Sequence, residues 1–181
     1  MFRKSGAILE GHFILASGRH SPVYWEKFRV MHYPQYVQQL CGMIADHYRK
    51  ESIDLVAGPT TAGIILAFEV ARQMGVRAIY AEKAENKTFV FKRGLAISLG
   101  DRVLVVDDVF TTGGSIREVI VRVKERKGII AGIGVLVDRS ETTFDFGAPF
   151  YACHRAEAVS YAPENCPLCA AKIPLVKPCG S

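Results

Sequence analysis

The chain has 181 residues, 49% of them hydrophobic and 23% charged, which is enough apolar material for one well-buried core and argues against a disordered chain. The net charge of +5 suits small polyanions, and its cations lie in no recognition-helix pattern or aromatic stacking motif, so nucleic acid is not the expected partner. The apolar runs 62–67 and 129–137 are too short or too broken by glycine to cross a bilayer, and Met1-Phe2-Arg3-Lys4 leads into no signal-peptide core, so a soluble, cytoplasmic protein without membrane contact is expected.

Taken in order, the chain first presents an apolar stub, Phe13-Ile14-Leu15, that runs into the polar turn Ser17-Gly18-Arg19-His20-Ser21-Pro22. Between Met31 and Lys50, the residues Val37, Leu40, Cys41, Ile44 and Tyr48 recur at helical spacing and predict a core-facing helix. Strand and helix then alternate: a strand over Ile53 to Ala57, a helix from Ala62 to Met74 stopped by Gly75, and a strand over Val76 to Ala81. After the cation-rich stretch 83–94 come a strand over Val103 to Asp107, a helix from Ser115 to Arg126, and a strand over Gly132 to Val137. A short strand, Phe150 to His154, precedes an irregular tail with four prolines. Such alternation implies a mostly parallel sheet with right-handed crossovers, flanked by helices, and ligands bind such sheets beyond the carboxyl ends of their strands. Gly58-Pro59-Thr60-Thr61-Ala62-Gly63, Glu82-Lys83, Asp107 to Ser115 and Asp138-Arg139 all fall at those ends.

Val105-Val106-Asp107-Asp108-Val109-Phe110-Thr111-Thr112-Gly113-Gly114-Ser115 carries the most chemistry. An apolar strand ends in two carboxylates and a turn rich in hydroxyls and glycine, and a helix begins at the glycines. The open N-H groups and positive dipole end of that helix suit a phosphate, Gly113 and Gly114 let the backbone come close, and Thr111, Thr112 and Ser115 add hydroxyl donors. Carboxylates beside a phosphate need another partner, and ribose hydroxyls or a hydrated Mg²⁺ would suit Asp107 and Asp108, both expected at a solvent-facing strand end. No Gly-Lys-Ser/Thr follows, so this is not a Walker loop.

The five cysteines are an odd number, which argues against a disulfide framework. Cys166-Pro167-Leu168-Cys169 has zinc-ligand spacing, but no second such pair exists; His154, Cys153 and Cys179 are the candidates to complete a site, and the plainer reading is a tight turn in the tail. His12, His20 and His32 read as surface or satisfied polar residues.

The 105–115 segment resembles the ribose-phosphate signature of the type I phosphoribosyltransferases. Gly6-Ala7-Ile8-Leu9-Glu10-Gly11-His12-Phe13, followed by Ser17-Gly18-Arg19-His20-Ser21-Pro22, is similar to the N-terminal hood of the orotate enzymes among them. The resemblance covers nearly the whole chain. It implies one domain over 1–181, with a core of about 31–154 and a small hood built from about 1–30 and 155–181. It also implies Mg²⁺-dependent transfer of a phosphoribosyl group from phosphoribosyl diphosphate to orotate, and a homodimer whose mobile loop reaches the neighbouring site. Carried over by position, Lys83, Asp107 and Asp108 are the catalytic set. Phosphoribosyl diphosphate would lie on these three with Val109, Phe110, Thr111, Thr112, Gly113, Gly114 and Ser115, and Mg²⁺ would be held mainly through the substrate. Orotate would meet Thr111, Arg139, Ser17, Gly18, Tyr24 and Trp25. The chain departs from the family's usual pattern in having Ala16 before the hood Ser-Gly, Ala62 in the pyrophosphate loop, and no histidine in the mobile loop, where Lys87, Lys92 and Arg93 are the remaining cations.

Overall fold

The structure is a computed structural model and describes residues 1–15, 17–86, 88–142, 144–157 and 159–178. Ala16, Lys87 and Cys179, named above, lie outside them. The chain divides into two compact units, Pro34–Ala156 and Met1–Tyr33 with Glu157–Ser181.

In the first unit to be met along the chain, β1 (Ile8–Ile14) and β2 (His20–Trp25) pair antiparallel, and the short helix α1 (Phe28–Met31) follows. The stub and polar turn therefore form a hairpin, whose strands the weak alternation of 8–14 did not announce. The tail returns to it. Val176 bridges Phe13, and Tyr161 exchanges backbone hydrogen bonds with His20 at 2.8 and 2.9 Å. The 3-10 turn Pro163–Asn165 leads to Cys166, which precedes the one-turn helix α5 (Pro167–Ala170). Of the two expected cases, surface or satisfied polar, His32 is the first, being exposed, whereas His12 and His20 are buried and face each other at 3.0 Å.

The larger unit opens with α2 (Pro34–His47) and builds the sheet from β3 (Leu55–Pro59), β4 (Arg77–Lys83), β5 (Phe89–Val90), β6 (Arg102–Phe110), β7 (Ile129–Asp138) and β8 (Phe150–Arg155), with α3 (Ala62–Met74) and α4 (Gly114–Glu125) as crossovers. The strand order is β5-β4-β3-β6-β7-β8, all parallel except the two-residue β5. From β3 the chain winds one way to β4, and from β6 the other way to β7 and β8. The order therefore reverses between β3 and β6, where open sheets of this class leave a crevice at their carboxyl ends.

Alternation along the strands fills two cores. Leu55, Ala57, Val103, Val105, Ile133 and Val135 pack with Ile116, Val119, Ile120 and Val123 of α4. On the opposite face, Gly132 and Gly134 accept α2 and the residue after it at contact distance: an added Cβ would stand 2.3 Å from Tyr48 and 2.5 Å from Ile44. Tyr48 sits against β7 because its hydroxyl donates to the carbonyls of Ile133 and Pro149, at 2.8 and 3.0 Å, and burial pushes its pKa up to about 12. The cation-rich stretch is not wholly solvated, since Phe89 and Phe91 are buried in the α4-side core. Among the described residues no helix is long and apolar enough to cross a membrane.

Candidate active site

Two loops flank the reversal point, one at the end of β3 and one at the end of β6. At the first, Gly58 and Gly63 interlock: a Cβ on Gly58 would lie 2.3 Å from the Gly63 carbonyl oxygen, and one on Gly63 would lie 2.8 Å from Pro59 Cδ. The Thr60–Thr61 peptide bond is cis. Thr60 N-H donates to the Ala81 carbonyl at 2.9 Å, tying the loop to β4, and α3 starts at Ala62 with no side-chain cap on its first turn.

The second loop departs from the expected form in its strand. β6 does not stop at Asp107 but continues to Phe110, with Val109 and Phe110 paired to Val137 and Asp138. Asp107 and Asp108 therefore lie within a strand, where successive side chains point to opposite faces. Asp107 is in step with Val103 and Val105, half-buried, and lines the depression at the α4 N-terminus; Asp108 is only 3% exposed and does not. The expectation of two solvent-facing carboxylates is thus corrected for Asp108: the strand buries it. Each carboxylate holds local backbone, Asp107 Oδ1 accepting from Asp108 N-H at 2.8 Å and Asp108 Oδ1 from Val109 N-H at 2.6 Å.

The depression has a volume of about 390 Å³ and is lined by Asp107, Val109, Phe110, Thr111, Thr112, Gly113, Gly114, Ser115 and Ile116. Gly113 has φ of 75°, the left-handed conformation, and a Cβ there would stand 2.6 Å from the Phe110 ring. Only glycine fits that turn. No side chain caps α4, and its first turn carries no acidic residue, so its leading N-H groups and dipole face the depression. The arrangement, a cradle with three hydroxyls at its rim and one carboxylate in its wall, has the donors to receive an anion.

The other expected residues are placed as follows. Lys83 ends β4, is exposed, and holds its Nζ 5.5 Å from the Phe89 ring centroid; it does not line the cradle. Arg93 pairs with Glu82 at 2.7 Å, a contact that lowers the Glu82 pKa through the hydrogen bond from Arg93, whereas Lys92 is exposed. Arg139 follows β7 half-buried, and its N-H donates to the Phe110 carbonyl at 2.8 Å, so the cradle strand and the arginine share one backbone bond. The neighbouring Asp138 is occupied by Ser140, whose N-H and hydroxyl donate at 2.9 and 2.7 Å, and by Arg155 at 3.7 Å. In the smaller unit, Ser17 and Gly18 form the hairpin turn, Tyr24 packs on Phe13 at 5.7 Å, and the buried Trp25 ring stands edge-on to Phe2 at 5.4 Å. The Trp25 side chain is a core group there.

Sequence reasoning missed an aromatic cluster beside the cradle. Phe110 contacts Phe144, Phe146 and Phe150 at 5.0, 5.6 and 5.1 Å, and these rings with Asp138, Ser140, Thr142 and Arg155 line a second pocket of about 390 Å³. The phenylalanine spacing 144, 146, 150 was the available signal.

The phosphoribosyl transferase domain family matches residues 30–167. The chain is 49% identical to the orotate phosphoribosyltransferase of Pelotomaculum thermopropionicum, over 98% of this chain and 93% of that one, and 47% identical to the orotate phosphoribosyltransferase of Caldanaerobacter subterraneus over the same shares. The crystal structure of orotate phosphoribosyltransferase from Aeropyrum pernix superposes with a TM-score of 0.74 at 26% identity, covering 85% of this chain and 90% of that one. A glycine- and hydroxyl-rich turn at the reversal point of a mostly parallel sheet and these near-full-length likenesses agree, and the chain belongs to the orotate phosphoribosyltransferase family.

Proposed function

We propose that the chain transfers the 5-phosphoribosyl group of 5-phospho-α-D-ribose 1-diphosphate to orotate N1, releasing diphosphate and forming orotidine 5-phosphate in pyrimidine synthesis. The observation that carries the proposal is the uncapped α4 N-terminus with left-handed Gly113 and Asp107 in one wall, which together offer donors for a phosphate and an acceptor for a sugar hydroxyl. The hydroxyls of Thr111, Thr112 and Ser115 and the first α4 N-H groups hold the 5-phosphate. Asp107 accepts from the ribose diol, while Asp108 supports Val109 from inside the strand. Arg139 presents a planar donor fork to the orotate carboxylate, as guanidinium does best. Orotate supplies the attacking nitrogen, so no protein nucleophile is required, and the protein acts by positioning and by electrostatics.

Mg²⁺ is part of the proposal. Asp107 and the rim hydroxyls form a hard oxygen donor set, which fits an ion that prefers one or two carboxylates together with substrate phosphates. When bound, it neutralises charge on the departing diphosphate. Lys83 adds a cation to that same charge, and Lys92 and Arg93, the latter paired with Glu82, are exposed cations near it in sequence. Purified protein incubated with orotate, phosphoribosyl diphosphate and Mg²⁺ is expected to consume orotate absorbance, and uracil and hypoxanthine are expected to leave it unreacted. Consumption of hypoxanthine instead would replace the substrate assignment.

Arg139→Ala is expected to raise the orotate KM about tenfold to hundredfold, from the roughly 1.5 to 3 kcal/mol carried by hydrogen bonds to a charged group, with a smaller effect on the phosphoribosyl diphosphate KM. Because Ser140 and Arg155 already hold Asp138, the melting temperature should stay near that of the parent. Equal KM changes for both substrates would assign Arg139 to structure.

The protein is proposed to be a cytoplasmic homodimer. Supporting a second copy, Ile65 and Phe68 stand one turn apart on α3 and are 44% and 64% exposed. Lys83→Ala is expected to lower kcat about a hundredfold, since a cation beside a leaving diphosphate acts where charge develops. Mixing that variant with Asp107→Asn subunits is expected to restore activity, because one hybrid site receives both intact halves. Failure after verified subunit exchange would mean that each site is built from one chain.

A further inference from the structure

In the unit formed by the chain's two ends, four donor atoms converge: His12, His20, Cys166 and Cys169 offer nitrogens and sulfurs that all lie within 4.8 Å of one another. None of the three residues named as candidates to complete the Cys166–Cys169 pair is in this set: Cys153 donates to the Leu40 carbonyl, His154 is an exposed residue of β8, and Cys179 lies outside the described residues. We infer that these four side chains bind a structural zinc ion that joins the N-terminal hairpin to the C-terminal tail.

The distances have the scale of a tetrahedral shell. Bonds of about 2.0 to 2.1 Å to nitrogen and 2.3 Å to sulfur require ligand atoms about 3.3 to 3.8 Å apart. Here His12 Nε2 lies 3.0 Å from His20 Nδ1, 3.5 Å from Cys166 Sγ and 3.8 Å from Cys169 Sγ, and Cys169 Sγ lies 3.3 Å from His20 Nδ1. His12 Nδ1 faces the Ile173 carbonyl at 2.8 Å. A carbonyl only accepts, so Nδ1 carries the proton and Nε2 turns its lone pair to the centre, the support that metal-bound histidines usually have. That single lone pair faces one imidazole and two thiols at once. Hydrogen bonds alone cannot serve three such neighbours through one lone pair, whereas one cation at their centre uses every donor.

Softness and charge select the metal. Two thiols and two imidazoles in tetrahedral reach suit zinc, and four protein ligands leave no open position for chemistry, so the role is structural. Binding transfers the two thiol protons to solvent, and the resulting thiolates cancel the charge of Zn²⁺. The energetic need is visible in the unit itself. Its buried apolar residues among those described are Ala7, Phe13, Trp25, Val30 and Cys166, a small core for segments that join ends of the chain. Small folds of this kind commonly rely on a metal staple. Cys41 and Cys153 belong to the other unit, where Cys153 donates to the Leu40 carbonyl, so neither competes for this centre.

The full-length protein, expressed with added zinc and desalted, should carry about one zinc per chain by elemental analysis. Replacing that zinc with Co²⁺ should give the intense visible bands and thiolate charge-transfer absorption of a tetrahedral sulfur-nitrogen site. Removing the metal with a chelator should lower the melting midpoint by about 5 °C or more, with recovery on adding Zn²⁺ alone. The Cys166→Ser/Cys169→Ser variant should lose the zinc. Should it fail to fold, the cobalt spectrum of the unaltered chain decides. Wild-type protein without zinc, only weak octahedral cobalt bands, or a folded double variant that keeps its zinc would each overturn the assignment.

Discussion

Asp107→Asn is expected to reduce kcat/KM by about 10² to 10³-fold, the loss typical when one preorganised polar group is removed from a site of developing charge. The amide keeps an oxygen for the 2.8 Å bond from Asp108 N-H, and the half-buried position tolerates the change, so stability should shift by no more than about 0.5 kcal/mol. Asp108→Asn should behave differently. Its side chain is 3% exposed and serves Val109 N-H at 2.6 Å, so an amide brings a buried NH₂ that must find acceptors, at a cost of about 1 to 3 kcal/mol. Thermal melting with steady-state kinetics separates the two: one substitution mainly slows turnover, the other also lowers the melting temperature. An Asp107→Asn enzyme with near-parental turnover would remove Asp107 from the ribose and the metal.

Gly113→Ala is the second large effect, and it reaches the cradle through the backbone. A left-handed φ of 75° disfavours a Cβ by about 1 to 2 kcal/mol, and that Cβ would stand 2.6 Å from the Phe110 ring, which the Phe144, Phe146 and Phe150 cluster holds in place. The turn must open or the ring must move. Either response shifts the leading N-H groups of α4, so the phosphoribosyl diphosphate KM should rise more than tenfold while the orotate KM changes less, and the melting temperature should fall by several degrees, at about 2 to 4 °C per kcal/mol. Unchanged binding of phosphoribosyl diphosphate would mean that the 5-phosphate does not rest on this turn. Arg139→Ala makes the complementary case, with the orotate KM as its readout.

The cradle was legible because its chemistry is local. Within eleven residues the chain supplies an apolar strand, the turn glycines, the hydroxyls and a carboxylate, and short-range backbone preferences suffice to assemble them. The alternation of apolar strands and amphipathic helices likewise implied the mostly parallel sheet and its reversal point, since burial on both faces writes continuous apolar runs such as Val103 to Val106. Strand ends were less legible. β6 runs three residues beyond Asp107 because Val109 and Phe110 have partners on β7, and such pairing is a property of two distant segments.

What the sequence by itself determined is therefore the family, the sheet and the glycine- and hydroxyl-rich turn that opens α4, all encoded by residues close together in the chain. Only the tertiary structure decided which of two adjacent carboxylates faces the depression, because strand alternation assigns faces only once the strand's limits are known. Only the tertiary structure brought His12 and His20 to Cys166 and Cys169. Segments about 150 residues apart meet there through the Phe13 to Val176 and His20 to Tyr161 backbone pairings, and no local pattern records which remote donors will share a centre.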